Sequence, residues 1–171
     1  MTAAVPDRIE VGVLVTRRSS ASEWGGDVWR PEAVLIEPPP LPAWTKLREA
    51  EGVELHFAGL AELVLFPGET GHYRDNFTSD RPSLWIAFRP DMDGRGEVVG
   101  VTADPYEGEA MADSIGDAVE PVPMPAAIKE WIEAFFAANH VEREFFKRRR
   151  DKANPEAFGR KGPSDRRGGD R

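Results

Sequence analysis

Hydrophobic and polar positions alternate in twos along much of the first hundred residues. Over residues 8–17, Ile9, Val11, Val13 and Val15 interleave with Glu10, Gly12, Leu14 and Thr16, the period of a strand with one buried face. Residues 28–37 repeat the pattern with Pro31 inside it, which places that strand at a sheet edge or at a bulge. Pro38, Pro39, Pro40 and Pro42 then enforce a stiff extended connection. The pattern predicts a short helical turn over 44–51 and strands over 53–60 and 61–66, the last ended by Pro67-Gly68. Residues 69–80 read as a polar, irregular loop with a helical turn near Tyr73. Leu84, Trp85, Ile86 and Phe88 make 83–89 the most strand-like run, and 91–96 reads as a hairpin turn into a partner strand over 97–103.

Beyond residue 103 the period changes to that of a helix. Asp104 and Pro105 suit an N-cap and a first helical position, for a helix stopping near Gly116. Pro121, Pro123 and Pro125 form an extended approach to a longer helix, whose apolar stripe runs from Ile128 through Trp131, Ile132, Phe135, Phe136 and Val141 to Phe145. That helix is expected to fray within residues 147–150, where basic side chains oppose the negative end of the helix dipole. Six strands with short links and a long C-terminal amphipathic helix predict an α+β fold with an antiparallel sheet. One architecture of that order is a curled barrel of the pleckstrin-homology-like kind, capped by the helix. The domain is expected over 8–150, between a flexible N-terminus at 1–7 and a disordered basic tail at 151–171.

Charge sharpens this division. The net charge of −8 splits into −13 over residues 1–140 and +5 over 141–171. An acidic body argues against nucleic acid as its ligand, and no apolar run approaches the ~20 residues of a membrane span. The absence of cysteine excludes disulfides, thiolate metal sites and cysteine nucleophiles in this chain. Residues 1–8 lack the basic-then-apolar layout of a signal peptide, and the reading is cytoplasmic.

No catalytic motif stands out. Gly25-Gly26 lacks the further glycine and lysine of a phosphate-binding loop, and there is no G-x-S-x-G elbow. His56, His72 and His140 lie far apart, and none has a partner at metal-ligand spacing; His56, between Leu55 and Phe57, is expected to face solvent. The carboxylates Asp104, Glu107, Glu109 and Asp113 read as residues complementing a helix dipole rather than as a metal site. The expected inventory is therefore no catalytic residue, no metal and no cofactor. Two surfaces remain as candidates for binding. Trp24, Asp27, Trp29 and Arg30 surround a glycine turn, and tryptophan and arginine dominate binding hot spots, although a core role serves the tryptophans equally well. Glu69, Tyr73 and Asn76, with Thr70 and Arg74, form a polar patch in the loop expected at 69–80.

Four runs carry a resemblance: SEWGGDVWRPEAVL at 22–35, PSLWIAFRP at 82–90, VTADPYEGEAMAD at 101–113, and the stretch EPVPMPAAIKEWIEAFFAANHVEREFFKRRR at 120–150. Together they resemble the proteobacterial domain of unknown function 3305 over residues 8–150. The resemblance implies context, because genes of that family lie near those for molybdenum-dependent formate dehydrogenase and molybdopterin synthesis. Some members carry the label molybdopterin-guanine dinucleotide biosynthesis protein A. Such a nucleotidyltransferase opens on a glycine-rich nucleotide loop of a doubly wound parallel sheet, whereas the first strand here ends in Thr16-Arg17-Arg18-Ser19-Ser20. The expectation that results is a non-catalytic accessory protein with a protein partner, a molybdoenzyme or one of its maturation factors. The alternative is a small nucleotide- or pterin-binding protein or enzyme of molybdenum cofactor synthesis.

Overall fold

In the computed structural model, residues 4–92 and 95–142 are described. Their elements run β1 (Arg8–Arg18), β2 (Val28–Ile36), β3 (Thr45–Ala50), β4 (Val53–Val64), α1 (Thr70–Phe77), β5 (Ser83–Pro90), β6 (Gly96–Thr102), α2 (Pro105–Ala112), β7 (Ala118–Pro123) and α3 (Ala126–Asn139). The fold is α+β, with two antiparallel sheets ordered β2-β1-β4-β3 and β6-β5-β7. The expected closed or curled barrel is thus corrected: among the described residues no strand pairing joins the two sheets. The C-terminal helix is also shorter than expected. It ends at Asn139, where His140 turns to extended backbone, and Val141 is outside it; residues 143–150 lie outside the described residues. His140 is held out of the helix by its own contacts, with Nδ1 2.9 Å from Thr70 Oγ1 and its ring stacked on Phe136. The tail expected at 151–171 likewise lies outside the described residues.

Central strands carry the core. Val11, Val13 and Val15 of β1 and Leu84, Ile86 and Phe88 of β5 are buried facing positions at the period of two, joined by Ile128, Ile132 and Phe135 of α3. β1 is buried on its other face as well. There Gly12 sits so close to Phe57 and Pro38 that a Cβ would lie 2.8 Å from each, so the proline segment after β2 lies against the sheet only because residue 12 has no side chain. β2 is an edge strand with a bulge beside Pro31, as its proline implied.

Three strands differ from the pattern-based expectation. The stretch at 44–51 is not a helical turn but strand β3. Glu51 and Gly52 both take positive φ (53° and 75°) and close a two-residue hairpin that pairs Ala50 with Val53, overriding the helix propensity of Lys46, Leu47, Arg48 and Glu49. The strands expected at 53–60 and 61–66 are one strand, β4, which carries an extra residue, Ala58, at a bulge beside Gly59 (φ 131°). Residues 118–123 pair with β5 as β7 despite their prolines, because β7 is an edge strand.

Two of the helices, α1 and α2, attach to the second sheet. Asp104 caps α2 as expected: its Oδ1 accepts from Tyr106 N at 2.9 Å and Glu107 N at 3.4 Å, with Pro105 in the first turn. The polar loop expected at 69–80 is an α-helix, α1, entered through a 3-10 turn at Pro67–Glu69. Asn76 of α1 is buried and bonds three backbone groups: Nδ2 donates to Ser83 O and Ala103 O at 2.8 Å each, and Oδ1 accepts from Ser83 N at 3.0 Å. No helix among the described residues is long and apolar enough to cross a membrane.

Candidate functional site

Strand register assembles a cleft on the core-facing side of the first sheet, at its end. Arg17 of β1 lies opposite both Trp29 of β2 and Glu54 of β4, and one step inward Val15 lies opposite Pro31 and His56. Lys46 of β3 pairs with His56 from the far side. Trp44, from the turn before β3, and Arg95, from the β5–β6 link, complete a cleft of about 460 Å³.

The charged groups form one chain. Arg17 Nε donates to Asp27 Oδ2 at 2.8 Å, Nη2 reaches the same oxygen, and Nη1 donates to Glu54 Oε2 at 3.1 Å. His56 Nε2 lies 2.8 Å from that Glu54 oxygen, and Lys46 Nζ lies 3.6 Å from Oε1 while contacting Glu49 at 2.8 Å. The His56 hydrogen bond, followed by that of Arg17, lowers the Glu54 pKa to about 2. Asp27 above all holds the Arg17 guanidinium above its ordinary value, and Glu49 does the same for Lys46. With Glu54 ionised, His56 Nε2 is the donor in their hydrogen bond.

The aromatic groups form the floor. Trp29 is 9% exposed, packed edge-on to Trp44 at 5.3 Å and tilted against His56 at 5.1 Å, with the Arg17 guanidinium 5.7 Å from its ring centre. Two buried polar atoms have no hydrogen-bond partner among the described residues, Trp29 Nε1 and His56 Nδ1, and both belong to residues lining this cleft. Buried polar atoms are satisfied in the great majority of cases, so two nitrogens left unmet in touching rings call for an explanation. Trp44 adds a second irregularity. Its φ is +67°, a conformation that bulky residues avoid, at the third position of a turn in which Thr45 N donates to Pro42 O at 3.3 Å. Glycine ordinarily fills that position. A tryptophan there costs ~1–3 kcal/mol of backbone strain, and such strain gathers at functional sites.

The residues singled out in the sequence divide between several places. Trp29 lines the cleft and Asp27 orients Arg17. Trp24 is 96% exposed and not in the cleft. Arg30, next to Trp29 in the strand, points to the opposite face and borders a different hollow with Thr16 and Arg18. Tyr73 is buried, its Oη accepting from Phe66 N at 2.9 Å, and burial pushes its pKa up to about 12. With Asn76 it belongs to the packing of α1, so of that patch Glu69 and Arg74 keep partly exposed side chains. His56 is 4% exposed, a correction to the expected solvent position, because β4 is buried on both faces around its bulge. Arg17, Trp44, Lys46 and Glu54 were missed by sequence reasoning. Their signal is the spacing of two that joins Val15 to Arg17 and Glu54 to His56, which becomes legible only once β1 and β4 are paired.

A family model described as a protein of unknown function, DUF3305, matches residues 10–150. The chain belongs to the DUF3305 family. No curated protein and no solved structure matches it. The match spans the DUF3305 strands and helices that build the cleft and the α1–α2 junction.

Proposed function

We propose that this DUF3305 chain is a non-catalytic recognition module whose binding site is the Trp29–Trp44 cleft. The observation that carries this reading is the coincidence, in one cleft, of a tryptophan on a strained backbone with two buried nitrogens lacking partners. A docked group that accepts from Trp29 Nε1 and hydrogen-bonds His56 Nδ1 would satisfy both, and its burial would offset the strain at Trp44. Catalysis draws no support from the same residues. Glu54, held ionised down to about pH 2, is a poor general base near neutrality, and among the described residues none that lines the cleft is a serine, threonine or cysteine.

The family context makes a molybdoenzyme such as formate dehydrogenase, or one of its maturation factors, the partner to test. A second reading places a nucleotide or pterin in the cleft, favoured by a volume within the ~300–1,000 Å³ of small-molecule pockets and by the two adjacent unpartnered nitrogens. Tagged protein purified from cells growing on formate should co-purify formate dehydrogenase subunits or maturation factors, and Trp44→Ala should lose them while remaining folded. A chain that elutes alone, yet gives saturable heat with GTP or a pterin that Trp44→Ala abolishes, decides for the small ligand. Partner recovery undiminished by Trp44→Ala removes the cleft from the function.

A further inference from the structure

Glu69, His72 and Asp104 meet where α1 adjoins α2, and we propose that they form a binding site for a first-row transition-metal dication, Zn2+ being the closest fit. Each offers one ligand atom, and the three atoms lie within 4.8 Å of one another. His72 Nδ1 is 2.7 Å from Asp104 Oδ2 and 2.8 Å from Glu69 Oε2. One ring nitrogen carries at most one proton, and its hydrogen bond goes to Asp104. Glu69 therefore brings a second carboxylate against the same atom without a proton of its own to share. Nor is Glu69 placed there by capping, since it occupies the N-cap position of α1 with no side-chain hydrogen bond to the helix's backbone N–H groups.

The charges also point to a cation. Two carboxylates face one imidazole, and one of them, Asp104, is 6% exposed. Even a protonated imidazole leaves a net negative charge in a partly desolvated place. A dication on a neutral imidazole and two carboxylates brings the sum to zero. The donor set of one nitrogen and two oxygens selects zinc or its neighbours over calcium, which takes six to eight oxygens. Three protein ligands with the outer side partly open match zinc sites that keep a position for water or another ligand. Asp104 is already oriented for the task. Its Oδ1 is occupied by the two backbone donors of α2, which leaves Oδ2 directed at His72, and the Tyr106 ring flanks His72 at 4.5 Å.

The site is separate from the tryptophan cleft and does not rest on its function. The full chain, stripped with chelator, should bind one equivalent of Zn2+ in titration calorimetry at pH 7.5 and should gain thermal stability from it. Co2+ should give the visible absorption of a site with nitrogen and oxygen ligands. His72→Gln and Glu69→Gln, both at partly exposed positions, should fold and bind Zn2+ roughly tenfold or more weakly. Asp104→Asn should keep the helix cap, since asparagine caps as well as aspartate, and lose affinity as well. A folded wild-type chain that gives neither heat with Zn2+ nor a Co2+ spectrum overturns the proposal. So does binding that is unchanged in both His72→Gln and Glu69→Gln.

Discussion

Replacing Gly108 with alanine tests how α2 is seated on the second sheet. Gly108 lies in the middle of α2, buried directly over Trp85 of β5. A Cβ at that position would lie 2.3 Å from Trp85 Cγ, 2.6 Å from Cδ1 and 2.7 Å from Cδ2. Carbon atoms in contact prefer ~3.5–4.0 Å, so the helix or the ring must retreat by about 1 Å. These are ring atoms close to the tryptophan backbone, and no flexible side-chain end is available to yield. Forced overpacking of this kind costs ~1–3 kcal/mol, against which alanine gains up to ~1 kcal/mol over glycine in a helix. The expected net effect is a loss of ~1–2 kcal/mol. Gly71 in α1 provides the control, because a Cβ there meets nothing within 4 Å. Gly71→Ala should therefore stabilise, by ~0.5 kcal/mol given its place in the first turn. Urea denaturation followed by circular dichroism reads both effects as shifts of midpoint at constant slope. A Gly108→Ala protein as stable as its parent, with an unchanged slope, would refute the packing of α2 on Trp85.

Two further substitutions test the interior and the cleft. Asn76→Ala removes three hydrogen bonds to backbone groups of Ser83 and Ala103 and leaves those groups short of partners, so it should cost ~2–4 kcal/mol in the same assay; a loss below ~1 kcal/mol would mean that Asn76 does not fasten α1 to the second sheet. Glu54 has a folded pKa of about 2 against an ordinary 4.5, so the stability it contributes is present above pH 4.5 and is lost as pH falls toward 2; Glu54→Gln should flatten that acid limb of the stability profile, and parallel profiles for the two proteins would exclude the network with His56 and Arg17.

Much of the fold was legible where one physical signal acted alone. Period-two patterns located β1, β2, β5 and β6 to within a few residues, and Asp104-Pro105 marked the start of α2 because capping chemistry is local. Failures came where tertiary pairing decided. Residues 45–50 have the composition of a helix, yet the Glu51-Gly52 turn lays them beside β4. The prolines of 118–123 obscured a strand that tolerates them because it is an edge. For the site, composition picked out Trp29 and Asp27, which the fold places at the cleft, together with Trp24 and Arg30 from the same local run, which the strand and loop send elsewhere. The remaining cleft residues come from β1, the turn before β3, β3 itself, β4 and the β5–β6 link, and no window of sequence contains them.

The same contrast separates structure from function within the molecule. At the junction of α1 with the second sheet, the buried side chain of Asn76 bonds three backbone groups and Tyr73 has a hydrogen-bond partner, as a packed interior requires. At the end of the first sheet the rules are broken together. A tryptophan takes a conformation suited to glycine, a buried indole N–H and an imidazole nitrogen lack partners, and three side chains, His56, Arg17 and Lys46, crowd around the Glu54 carboxylate and keep it ionised. Native sequences agree with their fold at most positions, and local conflicts persist where another requirement outweighs stability. Every one of these conflicts lies within reach of Trp29, so the binding role proposed for that cleft would account for them together, and Trp44 is where the chain departs furthest from what folding alone would select.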